Sequence, residues 1–128
     1  MNPKGVTIRA SEFSVKDTVE RLVSFLEQHG VTIYARINQQ AEAEKAGIKI
    51  PALEFILFGN PKAGGPVMKE NPIAALDLPL KIIAWEDHDQ KVWYAFNEAT
   101  YLENRYALPE DLANSLDISV VTRKALGF

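Results

Sequence analysis

Between Val15 and Ile37 the hydrophobic period changes from that of a helix to that of a strand across a single glycine. No other feature restricts the fold as much. Val15, Val19, Leu22, Val23 and Leu26 recur with the spacing of one buried helix face. Ser14 is placed to cap an early amide, with Asp17 three residues on as a weak variant of the capping box. Gly30, after His29, supplies a left-handed stop. Val31, Ile33, Ala35 and Ile37 then alternate with Thr32, Tyr34 and Arg36, as in a strand with one buried side. A helix with one apolar stripe and a sheet with one apolar face each need cover, so the two are expected to pack together.

The rest of the chain reads in the same way. Val6 to Ala10 alternates and is expected to be a strand. Gln39 to Ala46 suits a short helix that ends at Gly47. Leu53 to Phe58 is a richer strand, followed by a loop from Gly59 to Gly65. Pro66 is expected to open a short helix running to about Met68. Pro72 starts a helical turn that Pro79 ends. Leu80 to Trp85 and Lys91 to Phe96 form a hairpin around the polar segment Glu86 to Gln90. Tyr101 to Leu108 and Asp111 to Leu126 carry helical periodicity, with Leu108, Leu112, Leu116 and Val120 as one stripe. Consecutive strands without long helical crossovers predict an α+β fold. It is a single two-layer domain over residues 1–128, a mostly antiparallel sheet of four or five strands packed by helices. Its order is β-α-β-(short α)-β-loop-β-β-α.

Composition then excludes several classes of function. The 128 residues are enough to bury roughly two-thirds of the unfolded surface. A net charge of −3, with Lys and Arg dispersed, offers no basic face to a nucleic acid. No cysteine is present, so disulfides, thiolate nucleophiles and Cys-ligated metals are out. No apolar run approaches the ~20 residues of a membrane span, and Met1 to Gly5 lacks a signal-peptide core. The expectation is a soluble cytoplasmic protein that meets neither nucleic acid nor membrane.

Candidate catalytic groups have simpler explanations. His29, in the last helical turn, complements the negative end of the helix dipole. His88 lies between Asp87 and Asp89 in a turn, where three consecutive residues do not converge on one ion. No Gly-x-Ser-x-Gly accompanies either histidine. Glu98, Glu103, Glu86 and Asp87 are placed like the solvated ends of strands, and Trp85, Trp93, Tyr94 and Phe96 like sheet neighbours. No catalytic residue, metal ligand or cofactor motif is assigned.

Phe58 to Met68 is different, with three glycines and two prolines after an apolar strand. Free amides near Gly64 and Gly65, at the start of a helix opened by Pro66, would attract an anion, and Lys62 would add charge. The glycine spacing is not that of a P-loop. On the residues alone a tight turn explains the composition better.

Phe58-Gly59-Asn60-Pro61-Lys62-Ala63-Gly64, followed by Pro66, Met68, Asn71-Pro72 and Ala75 to Leu80, resembles the family of domains of unknown function numbered 302. Ser14 to Val19, Ala35-Arg36-Ile37, Ala46-Gly47, Trp85-Glu86-Asp87 and Tyr101-Leu102 agree in order, so the resemblance spans essentially the whole chain. It implies a compact α+β fold with an antiparallel sheet, often a homodimer, and no established activity. Two positions depart from the family pattern. Asn38-Gln39 stands where Asp-His is common, and Gly65 where a threonine is common.

Three functions follow as expectations. The first is a homodimeric binding domain that takes a small anionic molecule at Phe58, Gly59, Asn60, Lys62, Gly64, Gly65 and Met68. The second is a structural or interaction protein presenting Tyr34, Arg36 and Trp93. The third is an enzyme using Glu98, Tyr94 or Asp87.

Overall fold

A computed structural model describes residues 2–127. Its elements are β1 (Val6–Ser11), α1 (Val15–Gln28), β2 (Thr32–Asn38), α2 (Gln39–Lys45), β3 (Leu53–Gly59) and α3 (Pro61–Glu70). A 3₁₀ helix (Pro72–Asp77), β4 (Leu80–Glu86), β5 (Val92–Asn97), α4 (Ala99–Tyr106), α5 (Glu110–Asn114) and α6 (Ser119–Ala125) follow. The five strands form one sheet in the order β1-β5-β4-β3-β2, every neighbouring pair antiparallel. The expected α+β architecture is present. No helix among the described residues is long and apolar enough to cross a membrane.

The period switch is built as the residues dictate. Ser14 Oγ accepts from the Asp17 amide at 3.0 Å, and Gly30 takes φ 76° beyond the helix end. Asn38 Oδ1 caps α2 by accepting from the Ala41 amide at 2.9 Å, so the residue that departs from the family pattern has a structural task here.

Register fixes which residues meet. Ile56 pairs with Ile82 and Ile82 with Phe96, while Glu54, Ala84 and Tyr94 form the next row of the same face. Val15, Val19, Leu22 and Leu26 of α1 join Ala125 and Leu126 in covering this face, which makes the main core. Glu54, only 9% exposed, is satisfied by Arg36, whose Nε lies 3.1 Å from its carboxylate and whose Nη1 reaches Glu20 of α1. The opposite sheet face carries Ile8, Ile83, Phe55 and Ile37 in one row and Trp85 and Trp93 in another, half-buried. A second cluster holds Val67, Ala74, Leu102, Tyr106, Leu108, Ala113 and Leu116 beside the main core, with Leu80 packed against both.

Three local expectations are corrected. Gly59 to Gly65 is not a loop ending at a helix opened by Pro66: the helix starts at Pro61, and Pro66 lies inside it. Asn60 is the better starter, because its side chain and its carbonyl both hold first-turn amides. Two glycines and a proline oppose this helix locally, and fully buried Val67 in the second cluster holds it by tertiary packing. Asp111 to Leu126 is likewise two helices. The break at Ser115–Ile118 resets the periodicity, so Val120 is exposed instead of continuing the Leu108–Leu116 stripe. Finally, Tyr34 and Arg36 do not share an outward face with Trp93. A register irregularity between Ile33 and Ala35 breaks the expected alternation of β2, so Ile33 meets Phe58 on the main-core face while Ala35 and Ile37 lie on the opposite face, and Arg36 turns toward α1.

Candidate functional site

Where the two clusters meet, the chain leaves a groove of about 330 Å³. Its floor is Phe58, Leu80, Leu26 and Val121, and its sides come from α3, the end of α1 and the segment Ser115–Ile118. The lining is mostly apolar. Its polar side chains are His29, Tyr34, Asn60, Ser115 and Asp117, and it includes no Lys or Arg. An apolar groove with a few polar groups at its edge, set between packed units, is the usual form of a small-molecule site.

Of the residues singled out in the sequence, Phe58, Gly59, Asn60, Gly64 and Met68 line this groove. Lys62 and Gly65 do not. Lys62 is exposed on the first turn of α3. The amides offered to an anion are used within the chain. Lys62 N donates to Asn60 Oδ1 at 3.0 Å, and the Ala63 and Gly64 amides donate to Asn60 O at 2.8 and 2.9 Å. Phe58, 2% exposed, belongs to the main core as well as to the groove floor.

The groups considered for acid–base work lie elsewhere. Tyr94 is buried beneath the helices, and Glu98 accepts from Thr7 Oγ1 at 2.9 Å. Asp87 organises the β4–β5 turn. Its Oδ1 accepts from the Asp89 and Lys91 amides at 2.9 and 3.0 Å, and its Oδ2 from Trp93 Nε1 at 2.8 Å. The Trp93 hydrogen bond, followed by the one from the Lys91 amide, holds the Asp87 carboxyl below the ordinary aspartate range. None of the three lines the groove. Among the described residues no group of three His, Asp or Glu side chains is arranged to hold a metal ion.

His29, Ser115 and Asp117 are the polar lining residues that sequence reasoning missed. His29 was absorbed by its role at the helix end. Ser115 and Asp117 lie far along the chain, and the turn-forming run Asn114-Ser115 was the one local sign of a break there.

Comparison with known proteins places this arrangement. The fold is similar to that of a solved structure from Bacillus stearothermophilus, an uncharacterized conserved protein DUF302, with a TM-score of 0.80 and 18% sequence identity over 97% of each chain. The chain is also 36% identical over 104 residues to proteins named fluoride-specific ion channel FluC 1 in Brucella suis and Brucella abortus. That alignment covers 81% of this chain but only 41% and 38% of those relatives, so the chain spans about two-fifths of their length. A family model matches residues 6–120, nearly the whole described sheet and its helices, and the chain therefore belongs to the family described as Domain of unknown function DUF302.

Proposed function

We propose that this chain is a small-molecule-binding domain, acting in the cytoplasm, with its site in the groove between the two hydrophobic clusters. The observation that carries this reading is an apolar space of about 330 Å³ left open at the meeting of β3, α3 and α6. A surface groove of that size with apolar walls leaves apolar area in water that a ligand can cover. The lack of cysteine suits a reducing compartment. An anionic ligand is less well supported than a neutral one, because Lys62 stands outside the lining and the first amides of α3 are occupied.

The test is protein-detected NMR with a library of small apolar fragments. Amide shifts confined to Gly59–Gly64 and Ser115–Val121 are expected. A library in which no fragment moves those amides would overturn the proposal. The relatives named as fluoride channels make sodium fluoride against sodium chloride the natural anion arm, and a fluoride-specific shift at Lys62 would restore the anionic reading.

A second reading, self-association into a homodimer, has its own support. Trp85, Trp93, Phe55, Ile83 and Ile8 put an apolar row on the sheet face opposite the main core. Contiguous apolar patches on a domain surface mark interaction sites. Sedimentation equilibrium decides this, and a monomer across micromolar concentrations would exclude it.

A further inference from the structure

Within the groove the polar groups are not equivalent, and one of them is held in one orientation by the fold. His29 Nδ1 lies 2.8 Å from the carbonyl oxygen of Phe25. A carbonyl only accepts, so in the neutral ring Nδ1 carries the proton and Nε2 keeps its lone pair. The ring is also stacked on Phe25, with centroids 4.2 Å apart and planes 20° from parallel. Stacking and hydrogen bond together hold its orientation with Nδ1 toward the helix and Nε2 on the edge away from it. Among the described residues Nε2 has no hydrogen-bond partner.

The remaining polar atoms of the lining divide by what they have left to offer. Ser115 Oγ donates to Leu112 O at 2.6 Å, and Asn60 Oδ1 is engaged by Lys62 N, which leaves the Asn60 Nδ2 as a neutral donor. Asp117 Oδ1 accepts from the Ser119 amide at 2.9 Å, which leaves its second oxygen as an acceptor. Tyr34 contributes a hydroxyl that serves either way. His29 and Asp117, both exposed at the rim of the groove, therefore bring an imidazole lone pair and a carboxylate oxygen to its lining, which holds no Lys or Arg.

From this we infer that the ligand is an apolar molecule with a hydrogen-bond-donating head group, a hydroxyl or an ammonium, and that His29 Nε2 accepts from that head. The inference rests on the groove being the ligand site and adds the chemical class of what enters it. A carboxylate on the same skeleton is rejected twice over, because it brings no proton for Nε2 and meets the Asp117 charge. His29 acts as a recognition residue, and no bond-making step is assigned to it.

Three probes with one skeleton test this: cyclohexylmethanol, cyclohexylmethylamine and cyclohexanecarboxylate, titrated into the intact chain at neutral pH and followed by the amide shifts of Gly59–Gly64. The alcohol and the amine are expected to bind about tenfold more tightly than the carboxylate, the discrimination that one hydrogen bond supports. His29→Phe keeps the stack on Phe25 and removes both nitrogens. It is expected to leave carboxylate binding unchanged and to remove about tenfold of the alcohol's affinity. His29→Gln, whose amide oxygen accepts, should restore part of it. If the carboxylate binds as well as the alcohol, or if His29→Phe binds the alcohol as tightly as the parent does, the inference fails while the groove remains a site. If none of the three probes moves those amides, the groove reading fails with it.

Discussion

Replacing Gly64 and Gly65 singly by alanine separates what α3 needs for folding from what the groove needs for binding. Both glycines lie inside the helix, and neither has a positive φ. A Cβ on Gly64 would sit 3.9 Å from Met68 Cε, an ordinary contact, and one on Gly65 would have no heavy atom within 4 Å. Alanine is therefore sterically admissible at both positions. Each replacement restricts the unfolded chain and should stabilise the protein by about 0.5–1 kcal/mol. For a domain of this length that is a rise in Tm of about 3 °C. The two variants should part company in binding. Gly64 lines the groove and its new methyl would point toward Met68, which lines it too, so affinity for cyclohexylmethanol should fall several-fold. Gly65 lies outside the lining, so its variant should bind as the parent does. Thermal melts by circular dichroism give the first quantity and NMR titration the second. A Gly65→Ala protein destabilised by more than about 1 kcal/mol would refute the helical assignment of this segment, because a loop glycine is the residue that alanine harms. A Gly64→Ala protein with unchanged affinity would refute the groove as the place of binding.

Three further outcomes follow from contacts elsewhere. Arg36→Ala strands the nearly buried Glu54 carboxylate and should cost about 2–3 kcal/mol in urea denaturation. That is less than for a fully buried pair, since the Arg36 side chain is 30% exposed; adding Glu54→Gln should recover much of the loss. Gly5→Ala should destabilise by about 3 kcal/mol, because φ is +77° there and a Cβ would fall 2.4 Å from Tyr101 Cδ1; a neutral result would mean that Tyr101 yields freely. Asp87 has a lowered pKa in the folded chain, so its contribution is present above the ordinary aspartate value of 3.8 and lost as pH falls through the lower folded value. Trp93 fluorescence, with its Nε1 on Asp87, should report that acid transition, and Asp87→Ala should lack it.

Much of this fold was legible because its determinants are local. The helix face Val15–Leu26, its Ser14 cap and its Gly30 stop act within a few residues, and so does the alternation that marks β2, β4 and β5. The antiparallel α+β class followed from the order of those elements. Of the seven residues chosen from the glycine–proline stretch, five line the groove.

The sequence by itself therefore determined most of the elements, the class of fold and one stretch that lines the groove. Tertiary structure decided the rest. Local propensity placed Gly64 and Gly65 in a loop and Pro66 at a helix start, and the burial of Val67 among Leu102, Leu108 and Leu116 overrode it, because apolar packing outweighs a few kcal/mol of unfavourable propensity. Only the folded chain brings His29 and Asp117 to the same groove, since no period or spacing relates residues 88 positions apart. Phe58 to Met68 supplies one wall of that groove, and its chemical character comes from residues that the stretch does not contain.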